Sequence, residues 1–109
     1  MTRPLIYVDP LLPCAPTRRW PWSTSCHLFG EDIEKLHVFA ESIGLNRQWF
    51  QNRPNRLPHY DLTESKRRRA INAGAAQVSG RDVIKAYAKC GDRVAMKMVE
   101  RWANGGVNG

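Results

Sequence analysis

PLLPCAPTRRWPWSTSCHLFG, residues 10 to 30, holds four of the chain's seven prolines. A regular helix is excluded there, because each proline ring removes a backbone donor and clashes with the preceding turn. Connections of this length are uncommon in a compact domain and often serve as lids or binding loops, so residues 10–30 are read as a long proline-rich loop. Before it, Leu5 to Val8 form an apolar, partly β-branched run between Pro4 and Pro10, the pattern of a short buried strand ending at Asp9. After it, Ile33, Leu36, His37, Ala40 and Ile43 recur at helical spacing, which predicts a helix over 32–43 stopped by Gly44.

Further along, residues 47–51 (RQWFQ) read as a second strand, and 52–57 as a turn-rich linker. A second helix starts near Asp61, whose D-x-x-E pattern with Glu64 is a capping box, or near Thr63, itself a good N-cap. Residues 75–79 then form a third strand, and Ser79 caps a basic last helix over 80–104 that stops at Gly105-Gly106 and divides in two if Gly91-Asp92 breaks it. Alternating strands and helices predict an α/β fold, a small three-stranded parallel sheet (βαβαβα, Rossmann-like) with a long C-terminal helix, all within one domain over 1–109. In such a fold the strand-to-helix loops open on the carboxyl edge of the sheet, where Asp9, His27 and the segment 59–61 would meet.

With 109 residues, 17 Lys and Arg against 10 Asp and Glu, and a formal charge of +7, the chain is one globular domain suited to an anionic partner: nucleic acid, nucleotide or phosphate. The only apolar run before Asp9 is four residues long, too short for a signal peptide or a membrane span, so a cytoplasmic protein is expected. Its three cysteines, Cys14, Cys26 and Cys90, are odd in number and have no CxxC spacing, which suggests neither a disulfide framework nor a structural zinc site.

IYVD (6–9), SCHLF (25–29), EKLHVFAESIGL (34–45), WFQ (49–51), HYDLTESKR (59–67) and AGA (73–75) together resemble the domain-of-unknown-function family 4031, a group of short bacterial and phage proteins. Glu31 departs from the family's capping aspartate, and the neighbouring Asp32 can take that role. The resemblance spans roughly residues 5–80 and implies no activity; the last helix lies mostly beyond it.

The residues themselves suggest chemistry. Asp9, His27, His59 and Asp61 offer carboxylates and imidazoles for general acid–base work, with Asp9 and Asp61 as the candidate ligands of a divalent metal. Competing structural roles are equally plain: Asp61 as a helix cap, Asp9 as a loop cap, Cys26 as a small buried side chain rather than a nucleophile, His37 as a core histidine. Arg67 and Thr63, at the start of the second helix, are candidate phosphate ligands, although Arg67 pairing with Asp9 or Asp61 would account for it as well. Arg18, Arg19, Trp20 and Trp22 in the loop, with Lys85, Lys89 and Arg93 in the last helix, are candidate nucleic-acid contacts. Cations recur at every fourth position from Arg81 to Arg101, six in all, drifting round a continuous helix as a slow spiral.

Two classes of function stay open. In the first, a pocket at the carboxyl edge of the sheet binds a phosphate-bearing ligand, a nucleotide or nucleic acid, as a metal-dependent phosphoesterase or nuclease. In the second, a non-enzymatic phage or mobile-element accessory protein binds nucleic acid or a protein partner through its basic C-terminal helix.

Overall fold

The central strand lies inside the stretch expected to be a loop. The computed structural model describes residues 6–54 and 56–104. Leu5 of the first predicted strand and the Gly105-Gly106 stop fall outside them. The strands are β1 (Ile6–Val8), β2 (Leu12–Pro13), β3 (Thr24–Gly30), β4 (Tyr60–Leu62) and β5 (Ala76–Gln77); the helices are α1 (Ile33–Ser42), α2 (Glu64–Asn72), α3 (Gly80–Lys89) and α4 (Arg93–Ala103). β3 pairs antiparallel with β1 and β2 along one side and with β4 along the other, and only β1 and β5 run parallel.

The expected all-parallel, three-stranded sheet is therefore corrected to a mixed five-stranded one. The proline argument excluded a helix over 10–30 but not an extended strand after Pro21, and the seven residues of β3 occupy that space. Residues 10–11 and 14–23 remain outside strands, the latter joining β2 to β3 as a hairpin in which the Trp20 ring packs edge-on against Trp22 at 4.8 Å and its Nε1 donates to the Thr24 carbonyl at 3.1 Å. The predicted strand at 47–51 is instead a 3-10 turn, Arg47–Trp49, begun by the Asn46 side chain; of that segment only Gln51 reaches the sheet, bridging to His59.

Period-two alternation assigns each strand residue to a face. Ile6, Val8, Cys26, Leu28, Tyr60 and Leu62 point to one side, where Leu36, Ala40, Ile43, Leu45, Ala70 and Ala75 complete a core beneath α1 and α2. Gly30 belongs to this side, and a Cβ there would lie 2.9 Å from that of Leu36, so the close approach of α1 requires glycine. Tyr7 and Phe29 point the other way, against Val83, Tyr87 and Ala95 of α3 and α4. His37 is the core histidine expected of its position, buried, with Nδ1 2.7 Å from the Tyr60 hydroxyl and its ring against Phe50.

Local signals place the helix starts. Asp32, Thr63 and Ser79 each accept a hydrogen bond from the third residue of the helix they cap, and Ser79 with Asp82 completes a capping box. The last helix is not continuous: Gly91 takes φ +89°, Asp92 caps a new start, and α3 and α4 form a hairpin. No helix of the described residues is long and apolar enough to cross a membrane. Leu28, fully buried on the central strand, sets the scale of the core: Leu28→Ala should lower unfolding free energy by about 2–5 kcal/mol in a denaturant titration.

Candidate metal centre

The register of β3 gathers the polar residues. His27 stands opposite Asp61 in the β3–β4 pair, and His59, two residues before Asp61, shares its face. Asp9 arrives from the other side. Between the pairs Val8↔Leu28 and Leu12↔Ser25, residues 9–11 lie opposite only 26 and 27, an extra residue that bulges the edge where Pro10 has no N–H to give. At this break the Asp9 side chain stands in for the ladder: Oδ1 accepts from the His27 backbone N–H at 2.6 Å and Oδ2 from His27 Nδ1 at 2.7 Å. The Asp9 carbonyl accepts from Arg67 Nε at 3.0 Å.

Hydrogen-bond partners determine both imidazole tautomers. A carboxylate and a carbonyl can only accept, so the nitrogen facing each must carry the proton. His27 Nδ1 faces Asp9, and His59 Nδ1 faces the Leu57 carbonyl at 2.7 Å. In the neutral rings both Nε2 atoms then present lone pairs, and both turn to Asp61 Oδ1, at 3.7 Å from His27 and 3.4 Å from His59. Asp61 Oδ2 accepts from Gln51 Nε2. Three electron-rich atoms thus converge, all within 4.8 Å of one another, on side chains of which His59 is buried and the other two partly exposed. Donors on a tetrahedral zinc with bonds of about 2.0–2.1 Å stand about 3.4 Å apart, so two of the separations are already close to a coordination polyhedron.

Charge follows the same geometry. The hydrogen bond to Asp9 raises His27 above the ordinary imidazole value, outweighing burial, which pulls it down. Burial pushes the Asp61 carboxyl up, but the adjacent His59 ring, the hydrogen bond from Gln51 and the nearby His27 hold it below the usual carboxylate range. Cys26 has its thiol pushed up to about 12, first by burial and then by the Asp9 charge, so it is a protonated core side chain. Cys14 and Cys26 are free thiols.

The sequence-derived candidates thus separate. Asp9, His27, His59 and Asp61 come together, but on a face of the sheet rather than in loops at its carboxyl edge, because β3 and β4 are antiparallel and carry His27 and Asp61 within the strands. Asp61 is a strand residue, and Thr63, whose hydroxyl accepts from Lys66 N at 3.2 Å, caps α2. Arg67 reaches in from α2, on the opposite side of the sheet from His27 and Asp61, and holds the Asp9 carbonyl. Arg18, Arg19, Trp20 and Trp22 sit in the β2–β3 hairpin loop, and Lys85, Lys89 and Arg93 on the α3–α4 hairpin.

Four contributors were not foreseen. Gln51 orients Asp61; the Leu57 carbonyl orients His59. Phe29 packs its ring against His27, His59 and Tyr87, with centroids 5.6, 5.9 and 5.8 Å away. Tyr87 accepts from Gly30 N at 2.9 Å and donates to the Pro58 carbonyl at 3.0 Å, tying α3 to the turn that carries His59. Burial pushes its hydroxyl well above the ordinary tyrosine value, so it remains a donor. Only the aromatic at position 29 of SCHLF, next but one to His27, was a readable signal; the other three act through tertiary contacts.

A family model described as a protein of unknown function (DUF4031) matches residues 6–90. The chain belongs to this family. The DUF4031 segment runs from β1 through α3 and contains every residue of the centre, while α4 lies beyond it. No curated protein and no solved structure matches the chain.

Two outcomes check this geometry. A folded-state value raised above the ordinary 6.5 means that the folded chain holds the His27 proton more tightly, so this contribution to stability is complete below 6.5 and is lost as pH rises through the folded value. Asp9→Asn should therefore lower the His27 midpoint in a metal-free NMR titration and destabilise the protein more at mildly acidic than at alkaline pH. Tyr87→Phe strands a buried N–H and a carbonyl; a loss of about 1–3 kcal/mol in chemical unfolding is expected, with broadened His59 ring signals.

Proposed function

We propose that this is a cytoplasmic metal-dependent hydrolase acting on a phosphate ester, with His27, His59 and Asp61 holding one divalent ion. The supporting observation is the pair of imidazoles whose Nδ1 protons are committed to a carboxylate and a carbonyl, so that both Nε2 lone pairs face one carboxylate oxygen. This is the outer-shell arrangement by which proteins orient metal-binding histidines. Two imidazoles and a carboxylate suit zinc or another first-row transition ion better than magnesium, which prefers oxygen alone, and three protein ligands leave room for substrate.

A bound ion would supply Lewis acidity and an activated water. The chain's own residues do the rest. Asp9, placed among the metal ligands by its sequence position, has both carboxylate oxygens on His27 and acts as its orienting partner. Gln51 keeps Asp61 turned inward. Arg56, whose positive charge is felt at His27, would attract a phosphoryl group, a task that Arg67, held on the Asp9 carbonyl, is less free to perform.

Calorimetry of the chelator-stripped protein with zinc and manganese should give one site per chain, weakened at least about tenfold by His59→Ala or Asp61→Ala and less by Asp9→Asn. Hydrolysis of a chromogenic phosphodiester should appear with the metal and vanish with His27→Ala. Absence of a stoichiometric site, or binding indifferent to all three ligand substitutions, would refute the centre; a site without turnover on a broad phosphoester panel would refute only the reaction.

A further inference from the structure

The break at Gly91 changes what the basic C-terminal segment presents. In a continuous helix, cations at every fourth position creep round the axis by about 40° a step and disperse. Divided at 90–92, the same six residues become two short strips, Arg81, Lys85 and Lys89 on α3 and Arg93, Lys97 and Arg101 on α4, each confined to about 80° of its helix. All six are exposed, and among the described residues none is in an ion pair.

Nor are the nearby carboxylates placed to neutralise them. Asp82 is committed to the capping box of α3, Asp92 accepts from Ala95 N at 2.9 Å at the start of α4, and Glu31 accepts from Tyr7 and Cys90, which leaves Glu100. The Arg81 guanidinium lies over the Trp102 ring, 4.2 Å from its centroid, and ties the free ends of the hairpin together. Val94 and Met98, both half-buried, lie beside Arg93, Lys97 and Arg101 on the surface of α4. The opposite side of the hairpin is spent on the protein: Val83, Tyr87 and Ala95 are buried against Tyr7 and Phe29. On α3 the apolar residues Val83 and Tyr87 are turned inward, whereas on α4 Ala95 alone is buried.

We infer that the α4 strip, Arg93, Lys97 and Arg101, binds the sugar–phosphate backbone of a nucleic acid. Cations recurring about 6 Å apart along a rigid axis suit a regular polyanion, and apolar surface beside them suits the sugars. The contacts are to phosphate and carry no base specificity. This surface stands apart from the proposed metal centre and does not depend on it. It lies beyond the family-matched segment, so the family argues neither for nor against it.

The test uses fluorescence anisotropy of labelled duplex and single-stranded DNA with the full chain across a salt series. Arg93→Gln, Lys97→Gln and Arg101→Gln combined should weaken binding by about tenfold or more and flatten the salt dependence by about two to three logarithmic units of slope, since each lost phosphate contact removes about 0.9. A control with the same charge loss elsewhere, Lys35→Gln, Arg68→Gln and Arg69→Gln, should weaken binding by less than about threefold. Arg93→Lys, Lys97→Arg and Arg101→Lys should retain affinity, as should His27→Ala, which separates this surface from the metal centre. Equal losses in the two neutralised triples would reduce the effect to net charge and overturn the assignment. So would polyglutamate displacing the protein as well as unlabelled DNA does, or wild-type binding that salt leaves unchanged.

Discussion

The carboxylate of Asp9 accepts twice from one residue, from the backbone N–H and the ring Nδ1 of His27, and much of the centre follows from that pair of bonds. The chain carries an extra residue at this point and Pro10 has no donor, so the β-ladder breaks beside the centre of the sheet. An N–H left without a partner away from water would be costly; Asp9 removes that cost from the side, while Arg67 takes up the part-buried carbonyl of the same residue. The second bond sets the imidazole tautomer and aims Nε2 toward Asp61. A local answer to a backbone problem and the orientation of a candidate ligand are one interaction.

The two faces of the sheet divide the work. One is closed by α1 and α2 over an apolar core in which Val8, Leu28, Tyr60 and Leu62 are fully buried. The other is closed over part of its extent by the α3–α4 hairpin, and where that cover ends His27 and Asp61 stand partly exposed beside the buried His59. Phe29 and Tyr87 mark the border, apolar toward the hairpin and polar toward the turn at Pro58. Desolvation opposes the charge on Asp61, and hydrogen bonds reverse the balance, so the carboxylate stays ionised at neutral pH. Such a group is maintained only where its neighbours are held in place, which is what the outer partners Asp9, Leu57 and Gln51 provide.

Legibility in the sequence follows the range of the forces involved. Helix α1 with its cap at Asp32, the cap of α3 at Ser79 and the stop at Gly91 depend on neighbours within a turn, and their residue types announce them. β3 was masked by the prolines before it: TSCHLFG alternates polar and apolar only over Ser25 to Leu28, because beyond them Phe29 meets the aromatics of the second face. RQWFQ has the aromatic content of a strand yet forms a 3-10 turn, since Asn46 caps it and only Gln51 finds a pairing partner. The D-x-x-E pattern at Asp61 is a genuine capping motif on paper, and pairing with β3 overrides it, leaving Thr63 to begin the helix.

By itself the sequence determined the helical segments, the caps at Asp32 and Ser79, the excess of positive charge and the identity of the four residues able to do acid–base or metal chemistry, because these are properties of residue types and of contacts a few positions apart. Only the tertiary structure decided that β3 pairs antiparallel with β1 and β4, that the cluster faces outward from a sheet instead of lining its rim, and which nitrogen of each histidine is free. Register and tautomer are set by partners far away along the chain, Asp9 for His27 and the β3 ladder for Asp61, and no pattern of neighbouring letters encodes a hydrogen bond that exists only once the strands have met.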